Sequence, residues 1–357
     1  MANPVRNLQR TAAEYRKLDV KDKRHFWKDG ILNNALYILM VIFIVYTAIQ
    51  KPNFLKAGSI INIVSLAAAS LPIALGIGGC IVLTGTDLSA GRIVGLTAAL
   101  SAAMLQSADW GKKMFPSLPE MPIVVVILMV MVVGALVGWV NGFFVAKFSL
   151  HPFIVTLATQ LIVYGVILLF FMVNGNNGQP ISGLSETYTR FVKGPLFSIG
   201  GTSVPMYVLY AVIMVAAMWF IWNKTTFGKN MFAVGSNAEA ANVSGVNVFM
   251  TTIMVHTLAG LMYGLTGFIE AARISSNTQG TGLNYECDAI AACVIGGVSF
   301  VGGTGKISGI VLGVFVLRII FVALNFLSID PNMQYIIKGS IILAACSLDM
   351  RKYLVRK

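Results

Sequence analysis

Runs of about twenty apolar residues recur from one end of this chain to the other, and that recurrence leaves few folds open. A run of that length is what an α-helix needs to cross the roughly 30 Å hydrocarbon core of a bilayer. The runs lie at about 31–50, 59–79, 92–107, 122–146, 152–173, 204–222, 251–271, 287–302, 307–327 and 334–349. They are continuous rather than alternating, which excludes a β-barrel. The expected fold class is therefore all-α, a polytopic helical membrane protein of about 10 transmembrane helices. An even number leaves both chain ends on one side. Glycine is dense in 59–107 and 287–327, so helices there are expected to be broken or re-entrant. Only 11% of the 357 residues are charged, against roughly 25% in soluble domains.

The net charge of +12 does not point to nucleic acid, because the basic residues gather in tails and loops. Residues 1–30 carry eight of them, among four acids, in a stretch too long and too mixed for a signal peptide. With the N-terminus placed in the cytoplasm, seventeen Lys and Arg fall on cytoplasmic segments and seven on external ones. That is the bias of a positive-inside protein. Arg318 and Lys338 fall within spans. The expected organisation is a basic cytoplasmic tail at 1–30, a transmembrane domain at 31–349 with a cytoplasmic loop at 223–250, and a basic C-terminal tail at 350–357.

Phe227–Val248 is a polar, glycine-punctuated segment in this apolar setting. It reads as a short helix flanked by turns. Asn237 can cap it, Glu239 suits its first turn, and Gly245 can end it. Ala240 and Ala241 keep one face smooth enough to seat in another protein's groove.

Thr84–Arg92, TGTDLSAGR, places two charges at or within the membrane. Gly85 and Gly91 allow a turn and a close helix contact, and Asp87 can cap a helix beginning at Leu88. A direct substrate contact for Asp87 is the alternative. An offset of 218 sets Ile77-Gly78-Gly79 on Ile295-Gly296-Gly297, Gly85-Thr86 on Gly303-Thr304, Gly91 on Gly309 and Gly95 on Gly313. Such an echo suggests an internal repeat with broken helices lining a path.

Gly302–Lys306 imitates a phosphate loop, but Phe300 stands where the first glycine belongs and Ile307 replaces the magnesium-binding Ser or Thr. Cys80, Cys287, Cys293 and Cys346 lie in apolar surroundings and imply neither a disulfide frame nor a metal site. His25, His151 and His256 are scattered, with no acid or nucleophile at a meaningful spacing, so no catalytic residue is assigned.

The E-A-A, three residues, then G of Glu239–Gly245 resembles the coupling loop of ATP-binding-cassette (ABC) importer permeases. The wider likeness is to sugar permeases of the ribose/galactose branch. It is carried by G-T-D-L-S-A-G-R at 85–92, by Asn141-Gly142 followed by HPFIVTL at 151–157, and by Asp288–Ala292 with Gly296-Gly297. It runs from about residue 31 to 349. Departures are His151 for a small residue or Pro, Cys287 for Leu, Ala238 for Pro, and Asn242 for a basic residue.

The resemblance implies a permease subunit in a bacterial inner membrane, surrounded by membrane lipid and importing a monosaccharide of the galactose/methyl-galactoside kind. It implies a cytoplasmic ABC ATPase subunit gripping Asn237, Glu239, Ala240, Ala241 and Gly245. An extracytoplasmic sugar-binding protein would dock on the external loops, chiefly 174–203, and two permease copies would form a homodimer around the path. No cofactor is expected on this chain; ATP and Mg would sit on the partner ATPase. Because a sugar offers hydroxyls, the path is expected to be lined by uncharged polar groups, with Asn62, Ser65, Thr84, Thr156, Thr159 and Gln160 as candidates beside Asp87. An ion-coupled secondary transporter is the rival reading, but it would want several intramembrane acids. Here only Asp87, Glu270, Asp288 and Asp349 qualify.

Overall fold

A computed structural model describes residues 35–354. The 1–30 tail, the start of the first span and positions 355–357 lie outside the described residues. The rest is a helical bundle, with α1 at Ala35–Gln50, α2 at Ala57–Val82, α3 at Ala90–Met104, α4 at Ile123–Phe148 and α5 at Pro152–Phe170. A short α6, Glu186–Lys193, leads into a hairpin of β1, Pro195–Ile199, and β2, Thr202–Pro205. There follow α7 at Tyr207–Lys224, α8 at Thr226–Ser236, α9 at Ala238–Val243 and α10 at Val248–Ile274. The chain closes with α11 at Tyr285–Ile295, α12 at Ile307–Phe326 and α13 at Pro331–Leu354.

Each expected span contains a helix, but the helices differ in reach. Among the described residues six are long and apolar enough to cross a membrane: α2, α4, α5, α7, α10 and α12. The expected span at 287–302 contracts to α11, whose 11 residues extend about 16 Å, half a bilayer core. That at 92–107 becomes α3, whose 15 residues reach about 22 Å. Helix α13 runs to Leu354, into the stretch expected as a tail. The all-α expectation also meets the antiparallel hairpin, whose strands register Ile199 with Thr202 and Phe197 with Val204.

Helix α10 is the axis. It packs along α4 through glycines spaced by four: Gly134, Gly138 and Gly142 on α4 face Gly260, His256 and Ile253, while Gly264 faces Val130. A Cβ on Gly134 would strike the Gly260 carbonyl, and one on Gly260 would strike the Gly134 carbonyl. Two helices meeting through such faces bring their backbones together, which in lipid is the main source of helix affinity. On its other side α10 meets α3, where Gly267 lies against Thr97 and Val94. Helices α4, α5 and α7 turn most of their apolar surface outward, with Leu128, Leu161, Ile162 and Val212 exposed. In a soluble protein such surface would be a liability; here it suits contact with lipid.

Candidate functional site

Three groups of polar side chains lie at successive levels along α10. At its N-terminal end, α8 and α9 form the polar segment. Asn237 caps α9 by accepting the Ala240 amide at 2.9 Å. Glu239 sits in the first turn, where the helix dipole favours a carboxylate. Termination is a Schellman motif: Val246 N donates to Ala241 O and Gly245 N to Asn242 O. Gly245 takes φ +85, which a glycine adopts without penalty. Ala241 is buried, whereas Glu239 and Ala240 are exposed and Val243 is 90% exposed. An open groove runs beside them, lined by Glu239, Asn242, Gly245, Phe249 and Thr252.

The second level is the loop between α2 and α3, which folds back into the bundle. Helix α3 begins at Ala90 rather than Leu88, and the Asp87 carboxylate turns the loop instead of capping the helix. Its Oδ1 accepts the Ser89 amide at 3.0 Å and the Ser89 hydroxyl at 2.5 Å. The reason is register: the carboxylate lies two residues ahead of the helix-start residue Ser89, so it meets that residue's amide first. Asn141 Nδ2 donates to Ser89 Oγ at 2.9 Å, and Thr159 Oγ1 donates to Asn141 Oδ1 at 2.6 Å. Thr156 Oγ1 accepts the Leu88 amide at 3.1 Å. The structure thus gathers Asp87, Thr156 and Thr159. It leaves Gln160 half-buried at the margin, Asn62 and Thr84 exposed elsewhere, and Ser65 buried on α2. His151 caps α5 through Phe153 N.

The third level lies near the C-terminal end of α10. Arg273 donates to both oxygens of Glu270, at 2.7 and 2.6 Å, and Tyr285 Oη donates to Glu270 Oε1 at 2.5 Å. Facing them, Asp288 pairs with Lys338 at 2.6 Å and with Arg318 at 3.7 Å, while Arg318 also donates to Ser70 Oγ at 2.6 Å. A cavity of about 70 Å³ opens between Glu270, Arg273, Tyr285, Asp288, Arg318 and Ser70. At roughly 10–15 Å³ per water it holds a few waters.

Two cations, Arg273 and Arg318, and two carboxylates, Glu270 and Asp288, therefore face one cavity inside an apolar bundle, with Lys338 pairing to Asp288 from outside it. The expectation was of uncharged polar groups. Intramembrane charges mark a site and pair with one another. The sequence carried a signal for this. His256, Tyr263 and Glu270 recur every seven residues on α10, which sets them on one helix face. Arg318 and Lys338 stand inside apolar runs.

Between the second and third levels the first turns of α3 and α11 meet. A Cβ on Gly91 would strike Glu286 and the Gly282 carbonyl, and one on Gly95 would strike the Thr281 carbonyl. Arg92, stacked 4.1 Å over the Tyr164 ring, donates to Gln279 O at 3.4 Å.

The family described as "Branched-chain amino acid transport system / permease component" matches residues 59–346. The galactose/methyl galactoside import permease protein of Haemophilus influenzae is 44% identical over 329 residues, covering 92% of this chain and 97% of its own length. The protein of the same name from Escherichia coli is 44% identical over 340 residues, 95% and 99% of the two chains. The ribose import permease protein of Haemophilus influenzae is more distant, 32% identical over 320 residues, 89% and 93% of the two chains. No solved structure matches the chain.

Proposed function

Since the chain belongs to the branched-chain amino acid transport system / permease component family, we propose that it is the membrane permease of an ABC importer for galactose or a methyl galactoside. The observation that carries this reading is the continuity of α10. It starts one turn after the exposed, capped α9 and ends on the Glu270–Arg273 pair at the cavity. Its 27 residues span about 40 Å. A displacement at α9 therefore reaches the polar cavity through a single rigid element.

In this reading the ATPase, which holds ATP and Mg, seats its groove on Asn237–Gly245 with Val243 as an apolar contact. The α9 end and both chain termini face the cytoplasm. A sugar-binding protein docks at the opposite end, on α6 and the hairpin, and two permease copies form the path. Hydroxyls of a hexose suit the cavity groups, because carboxylate and guanidinium present paired acceptors and paired donors to neighbouring hydroxyls. The two carboxylates and two guanidinium groups that line the cavity balance one another while it is closed. Opening exchanges some of those ion pairs for sugar hydroxyls, so the site alternates without leaving a charge bare.

The test is sugar uptake and ATP hydrolysis in vesicles reconstituted with the ATPase and binding protein, comparing wild type with Gly245→Asp. No atom lies within 4 Å of a Cβ placed at Gly245, so the cost is local backbone strain at positive φ of about 1 kcal/mol, spared partly because Asp tolerates that region. Expression should persist while uptake falls at least tenfold and hydrolysis runs uncoupled or is lost. Uptake by this chain alone, driven by an ion gradient and indifferent to Gly245→Asp, would overturn the reading in favour of a secondary transporter.

A further inference from the structure

Cys80, Asp87 and His256, expected to be unrelated, come together in the bundle interior. They belong to three different segments: the last turn of α2, the loop behind it, and the third turn of α10. Each offers one ligand atom, and these atoms all lie within 4.8 Å of one another. All three residues are buried, at 0%, 0% and 1% exposure. Cys80 Sγ stands 3.6 Å from His256 Nδ1.

Two buried polar atoms border this group without a well-formed hydrogen bond, although the Tyr263 hydroxyl lies near both Asp87 and Cys80. Asp87 Oδ1 is engaged by Ser89, but Oδ2 has no hydrogen-bond partner. The hydroxyl of Tyr263, also fully buried, has none either. Among the described residues no Lys or Arg forms an ion pair with Asp87. A buried carboxylate oxygen with only a loosely placed tyrosine hydroxyl near it, deep in an apolar bundle, costs several kcal/mol unless a cation or a well-placed donor meets it.

We propose that Cys80, Asp87 and His256 bind one zinc ion, with the Tyr263 hydroxyl or a water as fourth ligand. The donor set decides the metal. Magnesium and calcium want oxygen ligands, whereas a thiolate, an imidazole and a carboxylate suit zinc. The spacing agrees: bonds of roughly 2.0–2.3 Å in a tetrahedron put neighbouring ligand atoms about 3.3–3.8 Å apart, which brackets the 3.6 Å between sulfur and nitrogen. Charge agrees as well. Binding releases the thiol proton to solvent, and thiolate plus carboxylate then balance the two positive charges with no change of oxidation state. The filled site is neutral, as a membrane interior requires. The ion joins α2, the folded-back loop and α10, and so holds the loop in place by a bond that no hydrogen bond on Oδ2 supplies.

The experiment uses the full chain purified in detergent, dialysed against zinc and then against metal-free buffer, with zinc counted by elemental analysis. About one zinc per chain is expected in wild type, and close to none in Cys80→Ser or His256→Gln. Cobalt in place of zinc should give the intense near-ultraviolet band of a sulfur–cobalt bond, displaced by added zinc. This cobalt measurement needs no variant, so it decides the matter even if the substitutions impair folding. The melting temperature of wild type should rise with zinc, and that of Cys80→Ser should not. Wild type that retains no more zinc than Cys80→Ser, or that shows no sulfur–cobalt band, would overturn the site and leave Cys80 and His256 as a hydrogen-bonded pair.

Discussion

Two glycine-bearing breaks, at 83–89 between α2 and α3 and at 296–306 between α11 and α12, are held in opposite ways. The first is gripped by side chains from other helices: Asn141 of α4 on Ser89, and Thr156 of α5 on the Leu88 amide. The second is gripped by backbone. Gly296 and Gly309 pack reciprocally, each lying where a Cβ on the other would strike its carbonyl, and Gly313 sits on the Ala292 carbonyl. The offset of 218 that relates the breaks sets Thr84 on Gly302, and both are left-handed, at φ +63 and +87. Chain path is shared; packing is not. Gly91 and Gly95, the counterparts of Gly309 and Gly313, turn away from α2 to meet the 281–282 turn. Glycine spacing thus tells where the chain can bend and approach, while the polar residues beside it decide what it approaches.

The largest effect expected from this contrast is at the second break. Gly309→Leu puts a branched side chain where even a Cβ meets the Gly296 backbone. Backbone cannot rotate aside as a side chain can, so the cost should be about 3 kcal/mol or more. Detergent-purified protein should lose its monodisperse elution and most of its folded yield. A well-folded Gly309→Leu protein would show that α11 and α12 are not clasped through these glycines.

Next comes the contact between the breaks and the polar segment. Gly303 N donates to Val82 O at 2.9 Å, and a Cβ on Gly303 would collide with Ser236 at the end of α8. Gly303→Ala adds that collision to the strain of positive φ, together about 2 kcal/mol. Because the damage sits where both breaks meet α8, reconstituted uptake should fall further than the melting temperature does. Equal losses in both would deny the junction a role in transmission.

The first break should respond to polar substitution instead. Asn141→Leu leaves Ser89 Oγ and Thr159 Oγ1 without their shared partner, a loss of about 1 kcal/mol. Hydrogen exchange should quicken at 85–91 and stay unchanged at 298–305. Parallel changes at both would mean that the breaks move as one unit.

Much of this was legible beforehand, for physical reasons. Apolar run length marks where helices form, because the bilayer admits little else. Asn237 and Gly245 mark the ends of α9 because capping is local chemistry. The cavity was harder. Glu270, Asp288 and Arg318 come from three helices, and only tertiary packing decides that they share one space. The short reach of α11 was hidden because its apolar run continues into the glycine turn. The glycines of α4 and α10 were visible as four-residue spacings, yet which helix faces which is a long-range fact.

The smallest effect is expected at Thr84, and its smallness is informative. Thr84 holds φ +63 although its β-branched side chain disfavours that region, and it is exposed. Replacing it with glycine relieves about 1–2 kcal/mol of backbone strain and gives back about 0.5–1 kcal/mol through a more flexible unfolded chain. Its methyl contact with Gly302 and its hydroxyl bond to the Leu83 carbonyl are lost at the same time. The net change for Thr84→Gly should lie within about 0.5 kcal/mol of zero. The reverse exchange is not symmetric. Gly302→Thr would drive a Cβ towards the Gly235 and Val82 carbonyls, which are backbone and cannot yield. Melting temperatures of the two variants measure the difference directly. A Thr84→Gly variant as damaged as Gly302→Thr would mean that the first break, too, is clasped by close backbone contact, and the distinction between the two breaks would fall.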